Sequence, residues 1–394
     1  MTTQSLGLPP KLLGGLLLLG IAYAATLPGL RTQAQTPQEA LPIFELDPSW
    51  PKPLPNNWMM GSVYAVAVDS HDHAWVLQSP KGGWPAENLL GPKIAAAGKR
   101  PAPNVIEFDT EGNAVRGWGG PAPDYSWMDV STAVFPFGSP AEHGIFVDYK
   151  DNVWVTGNGH VALKFTPAGK FLLQIGQLWR SNGSNDRRLL GNPTDVAVDP
   201  ATNEVYIADG YVNHRVIVFD ADTGAYKRHW GAYGKKPEDG PPVNFDPNGP
   251  PPTQLYPVHC VKVAKDGLVY VCDRQRNRVQ VFQRNGTFVK EVFIAKDTKA
   301  EWGVIRVEGR ADDQGKPYGY GAVSTVAFSA DPQQRYLYVG DFVNRKTWIL
   351  RRSDLQLLGS FGKGGHEIST DSKGNVYTGT ERYFFKGNST TSHQ

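Results

Sequence analysis

The feature that most constrains this chain is a phrase that recurs six times: a short alternating strand ending in Asp or a small residue, a turn, then a second strand. It reads Val66-Ala67-Val68-Asp69 to Ala74-Trp75-Val76, Ile145-Phe146-Val147-Asp148 to Val153-Trp154-Val155, and Val196-Ala197-Val198-Asp199 to Val205-Tyr206-Ile207. It continues as Val261-Lys262-Val263-Ala264 to Leu268-Val269-Tyr270-Val271, Val326-Ala327-Phe328-Ser329 to Tyr336-Leu337-Tyr338-Val339, and Ile368-Ser369-Thr370-Asp371 to Val376-Tyr377. Third strands follow Asp209, Asn213 and Arg215, and again Asp273, Asn277 and Arg278; fourth strands end at Trp118-Gly119, Trp230-Gly231 and Phe361-Gly362. One such unit is too small to bury its own apolar face, so each must stack on its neighbours. The spacing predicts an all-β, six-bladed β-propeller of four-stranded blades over residues 42–388, with first strands lining a central channel. The stretch Pro42 to Trp58 is expected to supply the strand that closes the ring with the last blade.

Composition agrees: 43 Gly, 31 Pro and many aromatics favour short strands and tight turns. With 40 basic against 38 acidic residues and no long run of one sign, nothing suggests a nucleic-acid footprint, and nucleic acid is not an expected partner. Residues 1–34, with Lys11, the apolar run Leu12 to Ala25 and small-residue sites at Ala22-Tyr23-Ala24 and Thr32-Gln33-Ala34, read as a secretion signal. The weak basic start and the Gly14-Gly15 pair leave an uncleaved anchor as the alternative, although the run is short for a span. No later segment is apolar for long enough to cross a bilayer, so the expectation is a secreted or periplasmic monomer. Cys260 and Cys272 fall on neighbouring strands and are either bridged or two small buried hydrophobes.

Aligning the six first strands on Asp69, Asp148, Asp199, Ala264, Ser329 and Asp371 and reading five residues back gives Tyr64, His143, Thr194, His259, Ser324 and His366. Histidine thus recurs in the second, fourth and sixth blades, where the chain enters the innermost strand. Alternate blades converge with pseudo-threefold symmetry. Three neutral imidazoles with an open fourth position are the donor set of a catalytic zinc site, and copper or iron use the same set. A lone histidine would more often bind channel water, but three in register point to a metal.

The repeats resemble the NHL type, and the chain from about Gly61 to Tyr377 resembles the catalytic propeller of peptidyl-α-hydroxyglycine α-amidating lyase. The match rests on Pro193-Thr194-Asp195-Val196-Ala197-Val198, Ala208-Asp209-Gly210-Tyr211, Val258-His259 and Asp273-Arg274, with His143-Gly144 and His366-Glu367 on the other two zinc-binding strands. The resemblance implies Zn²⁺ on His143, His259 and His366, with Tyr211 and Arg274 as catalytic residues. It implies the splitting of a carbinolamide, N–CH(OH)–COO⁻, into an amide and glyoxylate. That step needs a base for the hydroxyl proton, a Lewis acid for the oxygen and a cation for the carboxylate. Tyr211 matches the base and Arg274 the cation, the latter through a planar fork suited to carboxylates. The resemblance further implies a structural Ca²⁺ held by the carbonyls of Val66 and Ile145 and by a carboxylate that is Glu367 here.

Departures limit what carries over. A second family arginine corresponds to Ser79, with Lys81 the nearest cation, so either Lys81 substitutes or the reaction differs. Gly364 stands for a family Met, Val212 for a family Cys, and no copper monooxygenase domain accompanies the propeller. The stretches Ser79 to Pro103 and Trp118 to Pro140 are candidate walls of a pocket, although for any one of the aromatics Trp118, Tyr125, Trp127, Phe135 and Phe137 packing on the rim is the commoner role. Lys236 to Pro252 reads as a stiff surface excursion. The leading expectation is a zinc-dependent carbon–nitrogen lyase acting on a small-molecule or peptide-like α-hydroxy acid. The alternatives are a non-catalytic extracytoplasmic NHL-repeat binding protein and, against the histidine register, a lactonase-type hydrolase.

Overall fold

Each repeated phrase folds as the inner half of one four-stranded antiparallel sheet, and the reason is visible in its side chains. The Asp that closes the first strand accepts backbone N–H groups of the following turn: Asp69 Oδ1 from His71 and His73, Asp148 Oδ1 from Lys150 and Asn152, Asp371 Oδ1 from Lys373 and Asn375. Its other oxygen accepts from the aromatic residue of the second strand, Trp75 Nε1 at 2.8 Å or Trp154 Nε1 at 3.0 Å. The recurring Val-x-Val-Asp…Trp-Val is therefore a hairpin closed by a buried carboxylate rather than by glycine alone.

A computed structural model of the chain describes residues 40–80, 90–128, 142–240, 245–296, 298, 321–379 and 381–389. The expected secretion signal, Lys81, Phe135 and Phe137 lie outside the described residues. Blades one to five are Ser62–Val68 to Ala114–Trp118, Glu142–Val147 to Phe171–Gly176, Pro193–Asp199 to Tyr226–Trp230, Val258–Val263 to Phe288–Phe293, and Thr325–Phe328 to Leu357–Phe361. The sixth sheet runs Ser369–Thr370, Val376–Thr378, Glu381–Ser389 and then Leu41–Asp47, which pairs antiparallel with the third strand. The strand Leu41–Asp47 thus closes the ring, beginning one residue before the stretch anticipated for it. Each first strand lies beside that of the next blade, the sixth beside the first, so the six enclose a channel. Apolar clusters fill the spaces between blades, including Trp75 with Val153 and Val155, and Tyr206 with Val269 and Val271.

Helix is almost absent: one helical segment, Leu90–Ala96, and short single turns are found among the described residues. None is long and apolar enough to cross a membrane. Cys260 and Cys272 face each other in the ladder and are joined by a disulfide, which decides between the two sequence readings. Tyr125 and Trp127 pack against Phe165 within the cluster that includes Trp75 and Val153, so these aromatics of the second insertion serve packing.

Candidate functional site

The entry to the first strand is irregular in the same way in four blades. The ladder register shifts between Val63 and Ala65, Glu142 and Gly144, Pro193 and Asp195, and Val258 and Cys260, leaving Tyr64, His143, Thr194 and His259 as the extra residues of four β-bulges. A bulge re-aims one side chain without breaking the strand. His366 differs locally, lying three residues ahead of its short first strand, Ser369–Thr370.

The three imidazoles come together. Ring centroids of His143, His259 and His366 are 4.6, 4.7 and 4.8 Å apart pairwise, and one ligand nitrogen from each lies within 4.8 Å of the others. Each Nδ1 bonds a backbone carbonyl of the next blade: His143 to Thr194 at 2.8 Å, His259 to Ser324 at 2.6 Å and His366 to Tyr64 at 2.8 Å. A carbonyl only accepts, so each Nδ1 carries the proton and each Nε2 keeps its lone pair. The alternation of His with Thr, Ser and Tyr is thereby explained: odd blades supply the carbonyls that orient the imidazoles of even blades. Sequence reasoning had Thr194, Ser324 and Tyr64 in register but gave them no role, and the alternation itself was the signal. Gly144 is required here, because a Cβ on it would run into the Thr194 carbonyl and Thr156 Oγ1.

Burial holds the imidazoles neutral. His143 and His259 lie well below the ordinary histidine range, chiefly through desolvation, and His366 is lowered to about 4 by burial and by the charge of Arg274. Neutral rings of set tautomer, oriented by backbone acceptors, are what a transition-metal site requires of its ligands, so the residues present fit a zinc ion.

Tyr211 and Arg274 reach this cluster from two neighbouring blades. Tyr211 Oη donates to His143 Nε2 at 3.1 Å, Arg274 Nη1 to His259 Nε2 at 2.8 Å, and the guanidinium lies 5.5 Å above the Tyr211 ring. The loops that carry them are anchored by the repeated Asp at the end of the second strand. Asp209 accepts from Gly191 N, Asn213 Nδ2 and Arg215 Nε; Asp273 accepts from Tyr256 N and Arg278 Nε. Both ion pairs are fully buried, so they fix loop geometry more than they add stability. Gly210 packs on the backbone of Val258, which keeps the Tyr211 turn against the strand bearing His259.

Ser79, at the place of the second family arginine, is buried and bonded to Glu142, whose carboxyl burial pushes up; Asn104 Nδ2 and Trp127 Nε1 also donate to Glu142. Below the imidazoles, Glu367 does not stand alone: Lys262 Nζ lies 3.5 Å from Glu367 Oε2 and 2.8 Å from Asp195 Oδ2. Sequence reasoning quotes Lys262 and Asp195 within the repeats but gives neither a role. Lys262 was detectable as a charge at a first-strand position that is Ala67, Phe146, Ala197, Ala327 and Ser369 elsewhere.

Fold and cluster together define the class: a six-bladed propeller with NHL repeats and a three-histidine group in its channel. The NHL repeat model matches residues 190–219 and 258–282, the two blades that carry Tyr211, His259 and Arg274. The chain is homologous to the amidating lyases. It is 30% identical to peptidyl-glycine alpha-amidating monooxygenase A of Xenopus laevis over 60% of this chain and 23% of that one. With peptidyl-alpha-hydroxyglycine alpha-amidating lyase 2 of Drosophila melanogaster identity is 30% over 47% and 42% of the two chains. NHL repeat-containing protein 3 of Mus musculus is 26% identical over 62% and 58%. The matched region is less than two thirds of each of these relatives. Virginiamycin B lyase of Staphylococcus aureus superposes at 12% identity with a TM-score of 0.45, covering 87% of this chain and 82% of that one.

Proposed function

We propose that the protein is a zinc-dependent lyase that splits a carbinolamide-like α-hydroxy acid into an amide and glyoxylate or a related aldehyde acid. The observation that carries this is the locked triad: His143, His259 and His366, each with its Nδ1 proton on a carbonyl and a lone pair on its Nε2, which in His143 and His259 accepts from Tyr211 and Arg274. A bound zinc supplies a Lewis acid for the substrate hydroxyl oxygen. Tyr211, whose phenolate an adjacent zinc would favour once its own proton has passed to solvent, would take the hydroxyl proton; the carbon–nitrogen bond would break as the carbonyl forms, and the same proton would pass from Tyr211 to the amide nitrogen. The His259 lone pair cannot serve a ligand and the guanidinium at once, so engagement of that nitrogen frees Arg274 for the substrate carboxylate.

The same reading makes the chain an exported, monomeric enzyme for a small-molecule or peptide-like substrate. Metal analysis of the purified protein tests it, with about one zinc per chain expected and lost in His143→Ala, His259→Ala and His366→Ala while circular dichroism is unchanged. Glyoxylate release from α-hydroxyglycine derivatives should vanish in the same variants. A second reading, a non-catalytic NHL-repeat binding propeller, is favoured by the buried Ser79 in place of an arginine and by the match to NHL repeat-containing protein 3. A wild-type protein that takes up no metal on reconstitution would select it.

A further inference from the structure

The channel holds a second, charged layer that the proposed chemistry does not use. Asp195, Thr325 and Glu367 share one repeat position, a residue on from Thr194, Ser324 and His366, and Lys262 comes two positions further along its own strand. Lys262 Nζ lies 2.9 Å from Asp195 Oδ1, 2.8 Å from Asp195 Oδ2 and 3.5 Å from Glu367 Oε2. Thr325 Oγ1 donates to Glu367 Oε2 at 2.7 Å and Val261 N to Asp195 Oδ2 at 3.0 Å. One ammonium therefore ties blades three, four and six, with blade five attached through Thr325. Lys262, Val66 and Ile145 line the same cavity in the lower channel.

We propose that Lys262 is the resident cation of this lower channel, performing the cross-blade neutralisation that a divalent ion would otherwise perform, and that the wild-type layer does not take calcium. Calcium needs six to eight oxygens in most protein sites, about twice what this layer leaves open. Both Asp195 oxygens are already committed, and Glu367 Oε1 is the carboxylate oxygen left without a hydrogen bond. Two carbonyls added to it, those of Val66 and Ile145, remain far short of a calcium shell. A dication held by Glu367 would also share that carboxylate with the ammonium, and like charges that close in a partly desolvated channel repel strongly. Without the ammonium, Asp195 and Glu367 would face each other as two buried carboxylates, and that arrangement does recruit a cation.

The test is calcium titration by calorimetry and thermal melting in resin-treated buffer, with no chelator added, so that zinc at the histidines is left in place and is assayed in parallel. Wild type should show no calcium heat and the same melting temperature with and without millimolar calcium. Lys262→Met should melt lower than wild type and recover when calcium is added, while Lys262→Arg should behave as wild type. Stoichiometric calcium binding by the wild type overturns the proposal, as does a Lys262→Met protein as stable as wild type in calcium-free buffer. Should Lys262→Met fail to fold, the wild-type titration and the Lys262→Arg melt still decide the matter. Loss of zinc or of lyase activity leaves these readouts untouched, so failure of the proposed function is distinguishable.

Discussion

Two layers of one channel, one to three residues apart along the first strands, solve the problem of buried polar groups in opposite ways. The upper layer is built of neutral groups: three imidazoles held by carbonyls of neighbouring blades, with Nε2 lone pairs that in His143 and His259 accept from Tyr211 and Arg274. The lower layer is ionic and self-contained, its ammonium satisfied by Asp195 and Glu367. Lone pairs held only by side-chain donors that a ligand can displace, as at His143 and His259, are available for chemistry, whereas opposite charges paired across blades hold the ring together. The contrast separates a site from a strut.

The comparison can be broken most sharply at the reacting groups. If the upper layer is the site, Tyr211→Phe should lower kcat for glyoxylate release by about 10²- to 10⁴-fold, the usual cost of losing a general base, with zinc content unchanged. Arg274→Ala should cost about 10²- to 10³-fold, mostly as a rise in KM if the guanidinium binds the carboxylate and as a fall in kcat if it stabilises charge in the transition state. Normal turnover in both variants would place the chemistry elsewhere.

A smaller change acts through the carbonyls. Gly144→Ala pushes a methyl toward the Thr194 carbonyl that orients His143, so zinc affinity should fall about 10- to 100-fold in competition with a chromophoric chelator. Unchanged affinity would mean that the cross-blade carbonyls do not set the imidazoles.

The smallest expected effect is on the metal-free protein. The folded histidines have lowered pKa values, so between about 6.5 and about 4 the unfolded chain binds protons that the folded chain refuses. Stability is therefore fully present above the unfolded histidine range and is lost as pH falls toward 4. Urea midpoints of zinc-free protein should drop across that window, and should drop less in His366→Ala. A flat profile would show that the imidazoles are solvated after all.

How much of this was legible in the chain depends on whether the signal repeats. Six copies of an alternating strand, four of them ending in Asp, announce blades because alternation and a turn-capping carboxylate are local requirements, and His143, His259 and His366 stand out because they break the same position three times. The disulfide could be posed but not decided, since two cysteines on neighbouring strands bond only when they fall opposite in register, as Cys260 and Cys272 do. Trp127 could line a pocket or pack, with packing the more expected, and only the structure shows that it packs on Phe165, because the sequence cannot say which face of an insertion meets it.

The sequence by itself determined the propeller, the count of blades and the identity of the three converging histidines, all consequences of periodic, short-range patterning. Only the tertiary structure decided that each imidazole is oriented by the next blade's carbonyl, and that Lys262 of one blade meets Asp195 and Glu367 of two others. The physical reason is that those partners lie 51 to 302 residues apart along the chain and meet only when the ring closes.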